Sequence, residues 1–179
     1  TPPRKILLNS WEGVYFDINQ EGMDQMMADI ASMGGELFVM DDGWFGDKYP
    51  RKNDSSSLGD WVVDKNKLPN GIEGLLSDAK KHGVKFGIWI EPEMANTTSE
   101  LYEKHPDWVL KASERDVVLG RGGTQVVLDL ANPAVQDFVF GVVDNLMTSY
   151  PEIDYIKWDA NMSVQNHGSQ YLTKDNQSH

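Results

Sequence analysis

Four short apolar runs punctuate the chain: Ile6-Leu7-Leu8-Asn9, Leu37-Phe38-Val39-Met40, Val84 to Ile90, and Ile153 to Trp158, the last interrupted by Asp154 and Lys157. Runs of this length predict strands buried on both faces. Between them, apolar residues recur every three or four positions, which predicts amphipathic helices. Met23, Met26, Met27, Ile30 and Met33 mark the first, closed by Gly34-Gly35. The methionine stripe reads as core packing rather than a cofactor site. Ile72, Leu75, Leu76 and Ala79 mark the second, between a turn at Leu68-Pro69-Asn70-Gly71 and His82-Gly83. Val135, Phe138, Val139, Val142, Val143, Leu146 and Met147 mark the third. Asn132 is placed to cap it, Pro133 suits its first position, and it stops before Pro151. A short helix is expected over Ser99 to Lys104. A minor strand is expected at Val126-Val127-Leu128 in the irregular stretch Val117 to Asp129. Gly46 to Leu58 is polar and reads as a long loop, a kind uncommon unless functional.

Alternation of strand and helix with continuous apolar strands predicts an α/β fold built on a parallel sheet. Two architectures fit. A doubly wound open sheet carries a glycine-rich phosphate loop after its first strand, and Asn9-Ser10-Trp11-Glu12-Gly13 is not one. A TIM (β/α)8 barrel gathers its chemistry at the C-terminal strand ends, and four strands are about half of a ~250-residue barrel. The expectation is therefore a partial barrel of about the first four β/α units, with residues 1–179 as the N-terminal half of a catalytic domain. No sequence repeat accompanies that structural period.

The chain has 179 residues, 40% of them hydrophobic, with six tryptophans, which suits a packed core. Its formal net charge of -12 argues against a nucleic-acid partner, which needs a basic face. No stretch approaches the ~20 apolar residues of a membrane span. The absence of cysteine excludes disulfides and thiolate chemistry. The start at Thr1-Pro2-Pro3-Arg4 and the polar end at Lys174 to His179 read as cuts from something longer. The sequence leaves the compartment open, with a bacterial cytoplasm favoured over secretion.

Acidic or amide residues stand beside tryptophan at all four strand ends: Asn9 with Trp11, Asp41 and Asp42 with Trp44, Glu91 with Trp89, and Asp159 with Trp158. Carboxylates accept paired hydrogen bonds from neighbouring hydroxyls, and aromatic faces pack on the C–H face of a sugar. The combination points to a polyhydroxylated ligand. Lys157 and Asp159 lie two apart on a strand and so face one side, where the lysine favours the ionised carboxylate of a nucleophile or electrostatic stabiliser. The plainer alternative is a strand-end ion pair. Magnesium on Asp41, Asp42 and Glu91 is a rival reading, since it prefers oxygen ligands; zinc is disfavoured by the missing cysteine and the outlying histidines. A non-catalytic carbohydrate-binding domain would need the aromatics without an ionised Asp159. Gly120-Arg121-Gly122-Gly123 is a weak phosphate signal.

Five stretches together resemble the catalytic barrel of family 36 α-galactosidases, the melibiases. They are Asn9-Ser10-Trp11-Glu12, Phe38 to Phe45, Trp89-Ile90-Glu91-Pro92-Glu93-Met94, Val127-Leu128-Asp129-Leu130 and Ile156-Lys157-Trp158-Asp159-Ala160-Asn161. The resemblance implies a retaining glycosidase that removes terminal α-linked galactose from oligosaccharides such as melibiose or raffinose, with no cofactor and no metal. An α-N-acetylgalactosaminidase of the same family is the alternative. By the same resemblance Asp159 is the nucleophile, Lys157 and Asn161 bond sugar hydroxyls, and Asp41 and Asp42 grip the hydroxyls that distinguish galactose. Trp44, Trp89 and Trp61 line the pocket. Arg121 matches a sugar-contacting arginine, although Gly122-Gly123 departs from the residues that usually follow. Glu91 either organises the pocket floor or touches substrate.

Retaining hydrolysis needs two carboxyl groups roughly 5–5.5 Å apart. The resemblance places the acid/base on an aspartate after a later strand, and nothing after Asp159 supplies it. The chain alone is therefore expected to be inactive. It is also expected to self-associate, or to pair with the rest of the barrel, through the unpaired edges of its first and fourth strands.

Overall fold

The computed structural model describes residues 6–112, 125–160 and 167–168. Arg121 and Asn161 lie outside the described residues. The elements run β1 (Leu7–Asn9), α1 (Trp11–Val14), α2 (Gln20–Ser32), β2 (Leu37–Met40), α3 (Gly71–His82), β3 (Lys85–Ile90), β4 (Met94–Asn96), α4 (Glu100–Lys104), β5 (Lys111–Ala112), β6 (Gln125–Val127), α5 (Pro133–Ser149), β7 (Tyr155–Trp158) and β8 (His167–Gly168). They fall into two compact units, one of Thr1–Phe45, Val62–Ile90 and Leu146–Trp158, the other of Gly46–Trp61, Glu91–Asn145 and Asp159–His179.

The first unit is a four-stranded sheet in the order β1-β2-β3-β7, parallel throughout. The four strands are those the apolar runs predict. β2 and β3 are buried over most of their length, whereas β1 and β7 stay largely open at the sheet's edges. α2 packs on α3 and on β2, while α3 packs on β3. Met23, Met27 and Ile30 of α2 are buried, as are Ile72, Leu75, Leu76 and Ala79 of α3, which is the face the three-and-four spacing marks. Each large side chain among them adds roughly 1.5–3 kcal/mol by leaving water. Met33 departs from its expected place in the stripe. The helix ends at Ser32, Gly34 turns left-handed at φ +78°, and Met33 is exposed.

The second unit is built on β4 and β6, which pair antiparallel, and on a second two-stranded pair, β5 with β8. Its core joins Ala95, Leu101, Val109, Val126, Leu128, Val135 and Val139. β6 is the expected minor strand, shifted one residue earlier. Its partner β4, three residues long, is too short to show a period in the sequence. Ser99 caps α4, its hydroxyl accepting from the Tyr102 N–H at 3.0 Å. Asn132 accepts from the Ala134 N–H at 2.9 Å, in the capping role its sequence position predicts. Gly46 to Leu58 carries no helix or strand, as expected of the long loop.

Candidate active site

The parallel register sets the first unit's polar cluster. Met40 stands opposite Ile88, Ile88 opposite Ile156, and Trp89 opposite Lys157. One residue beyond Met40, Asp41 is thus level with Trp89 and Lys157. Asp41 and Lys157 therefore flank the central strand at the same height, roughly 10 Å apart in the backbone. A lysine's four-carbon stem spans that gap. The Lys157 ammonium donates to Asp41 Oδ2 at 2.9 Å.

Sequence spacing places Lys157 and Asp159 on one side of a strand; the structure gives the Lys157 ammonium to Asp41. Period two decides only which face a side chain takes, and the parallel pairing decides which carboxylate lies within reach. Asp41 is 4% exposed. Its Oδ2 also accepts from the Asn9 amide at 2.8 Å, and its Oδ1 from the Asp42 N–H at 2.8 Å. Its own N–H donates to the Ser10 hydroxyl at 2.9 Å. The buried carboxylate thus faces one cation and two neutral donors, the arrangement a buried charge requires.

Asp42 is also buried, and the chain turns sharply behind it. Gly43 adopts φ +117°, and a Cβ there would stand 2.8 Å from the Phe16 carbonyl oxygen, so only glycine fits. The Lys67 ammonium holds the turn, donating to the Gly43 carbonyl at 2.6 Å and the Phe16 carbonyl at 3.0 Å. Trp44 is fully buried, and its indole N–H donates to the Trp89 carbonyl at 2.8 Å. Trp89 stacks on Phe45 at 6.2 Å between ring centres and is 3% exposed. In this unit both tryptophans act as core pieces that brace the strand ends.

In the second unit, Glu91 is buried and accepts from the Gln125 amide at 2.8 Å. Trp61 is half-buried and follows Asp60, whose carboxylate accepts from the N–H groups of Glu100 at 2.9 Å and Leu101 at 3.0 Å. Burial pushes the Asp60 carboxyl up, and those two N–H groups oppose the rise. Asp60 thereby ties the long loop to the start of α4. Asp159 follows β7 directly in the chain and accepts from the Ala160 N–H at 3.0 Å. Among the described residues, no group of three or more His, Asp or Glu side chains could hold a metal ion. At Asp41 the lysine ammonium already occupies the place a cation would take.

Ser10 and Lys67 are absent from the residues the sequence singles out as candidates, and Asn9 enters there only as the strand-end amide beside Trp11. Asn-Ser before an aromatic residue is a helix-start signal, and α1 does begin there. Four residues are too few to show a period. Lys67 carries no local signal at all, since its partners lie 24 and 51 positions away.

These features define a parallel α/β protein whose strand ends converge on a buried, lysine-paired carboxylate. The sequence profile of the Melibiase family matches residues 1–179, and the chain belongs to that family. The chain is 46% identical over 171 residues to the probable alpha-galactosidase C of Aspergillus flavus, covering 92% of this chain and 22% of that one. It is 44% identical over 174 residues to the alpha-galactosidase AgaA of Geobacillus stearothermophilus, covering 97% and 23%. The crystal structure of AgaA superposes with a TM-score of 0.87 at 44% identity, over 96% of this chain and 23% of that one. A variant of AgaA solved with raffinose gives a TM-score of 0.85 at 45% identity, over 94% and 23%. The chain thus spans less than a quarter of the length of these relatives.

Proposed function

We propose that residues 1–179 form about the first four β/α units of a (β/α)8 barrel and supply the nucleophile and the sugar-gripping side chains of a retaining α-galactosidase. The parallel order β1-β2-β3-β7 suits one arc of such a barrel. The observation that carries the reading is the Asp41 carboxylate held by Lys157 and Asn9 at the C-terminal strand ends, the side on which barrel enzymes do their chemistry. Relatives solved with raffinose and stachyose support an oligosaccharide carrying terminal α-galactose as substrate.

In the proposed reaction an Asp159 carboxylate oxygen bonds to the anomeric carbon as the glycosidic C–O bond breaks. The departing oxygen takes a proton from a second carboxylic acid. Water, losing a proton to that same group, then displaces Asp159 and releases galactose. Asp41, Asp42, Lys157, Asn161 and Arg121 would hold the hydroxyls, with Trp44, Trp61 and Trp89 shaping the pocket. The acid/base is expected outside the residues named here, on the complementary part of the barrel.

The test compares two proteins on p-nitrophenyl α-galactoside and raffinose. The full-length protein should hydrolyse both and lose activity by at least a thousandfold in Asp159→Asn, whereas residues 1–179 alone should show none. Turnover by residues 1–179 at ordinary enzyme rates, or an active Asp159→Asn, would overturn the proposal.

A further inference from the structure

We propose that Asn9 is a positioning residue that fixes the Asp41 carboxylate and, through it, the Lys157 ammonium. The inference rests on the reading of Asp41 and Lys157 as sugar-binding groups. The orientation of the Asn9 amide is decided from both sides. Its Oδ1 accepts from the Trp11 N–H at 2.8 Å, and its Nδ2 donates to Asp41 Oδ2 at 2.8 Å. A flipped amide would set NH₂ against an N–H and oxygen against a carboxylate, losing both bonds. The Trp11 backbone therefore selects the face that Asn9 shows to Asp41.

Asp41 Oδ2 is shared by the Asn9 amide and, at 2.9 Å, the Lys157 ammonium, while Oδ1 takes the Asp42 N–H. A carboxylate offers about four acceptor positions. Three are filled, which leaves about one for a substrate hydroxyl, pointing in a direction the other three determine. Without Asn9 the carboxylate could swing toward Lys157, whose side chain is 40% exposed and held by little else in this network. Both groups would then meet a sugar in many arrangements rather than one. Asn9 also ties the Trp11 backbone N–H to the cluster, so the start of α1 and the carboxylate are joined through one side chain.

The experiment uses the full-length protein with Asn9→Ala and Asn9→Asp, measuring galactose inhibition constants and KM well below the melting temperature, alongside thermal melts. Asn9→Asp keeps the acceptor for Trp11 and the shape of the side chain, but places a second carboxylate against Asp41. Asn9→Ala should weaken galactose binding roughly tenfold. Asn9→Asp should weaken it more, because an oxygen then faces Asp41 Oδ2 where the amide donated. Its defect should shrink as pH falls, because two carboxylates at this distance come to share a proton; the charged groups facing the new one are Asp41 and Lys157.

Binding losses that instead follow the melting temperatures, with Asn9→Ala the weaker binder, would overturn the inference. So would wild-type galactose affinity in both variants. If Asn9→Asp does not fold, Asn9→Ala decides the matter by its inhibition constant alone. A wild-type protein that neither binds galactose nor cleaves α-galactosides would instead overturn the site reading on which the inference rests.

Discussion

Replacing Asn96 by alanine is expected to loosen the segment Gly46–Trp61. The Asn96 side-chain oxygen accepts from the Arg51 guanidinium at 2.9 Å and from the Leu58 N–H at 2.9 Å, and its amide donates to the Asp54 carbonyl at 2.8 Å. Asn96 is fully buried and Arg51 is 2% exposed. Truncation therefore removes one acceptor from a charged and a neutral donor in a site closed to water. A buried N–H left without its acceptor costs about 1–3 kcal/mol, and a hydrogen bond to a charged group is worth about 1.5–3 kcal/mol. Arg51 keeps the Ser56 carbonyl at 2.8 Å and Asp54 at 3.9 Å, so the lower half of its range applies. The sum is about 3 kcal/mol, or roughly a hundredfold in the population of the opened segment.

Native-state trypsin cleavage at exposed Lys52 measures that population when reclosing outpaces cleavage. Asn96→Asp keeps both acceptor roles and sets a carboxylate against Arg51, at the cost of an oxygen facing the Asp54 carbonyl, so it should accelerate cleavage less than Asn96→Ala does. Equal rates for Asn96→Ala and Asn96→Asp, or a rise below threefold in Asn96→Ala, would refute the reasoning.

Two further outcomes follow from the first unit. The Asp24 carboxyl lies below its ordinary range, chiefly because His82 hydrogen-bonds it at 2.8 Å; burial opposes the shift and Lys81 adds to it. A carboxyl lowered in the folded state lends stability above its unfolded value of about 3.9 and loses it as pH falls through the lower folded value. His82→Ala should therefore lower the unfolding free energy from urea titration at pH 6, by less than about 1 kcal/mol at this exposure, and leave it unchanged near pH 2. Separately, Leu7, Tyr155 and Trp158 are each about half exposed on β1 and β7, the sheet's edge strands. Residues 1–179 alone should associate in light scattering, and a monodisperse monomer would contradict that.

The parallel sheet is legible in the sequence because its inner strands β2 and β3 are buried, nearly continuous apolar runs, and the edge strands β1 and β7 keep enough apolar residues to mark their places. The α2 and α3 faces are legible because burial follows the helical period. What escaped has a common cause. The pair β4–β6 joins three-residue segments some thirty positions apart, too short to carry a period and too distant for a local rule. Lys157 and Asp41 are 116 positions apart, and only the alignment of β2, β3 and β7 brings them together. Spacing along one strand shows only that Lys157 and Asp159 share a side. Trp44 and Trp89 stand at strand ends in the sequence, but their near-complete burial and the bond from the Trp44 indole to the Trp89 carbonyl come from packing that no sequence window displays.

The identity of the nucleophile is the claim open to the most direct test. A galactose-configured epoxide that traps retaining α-galactosidases, applied to the full-length protein and mapped by peptide mass spectrometry, should label Asp159 and no other carboxylate, with free galactose protecting it. A label on Asp41, Asp42 or Glu91 would contradict the assigned roles, and no label at all would contradict the glycosidase reading itself.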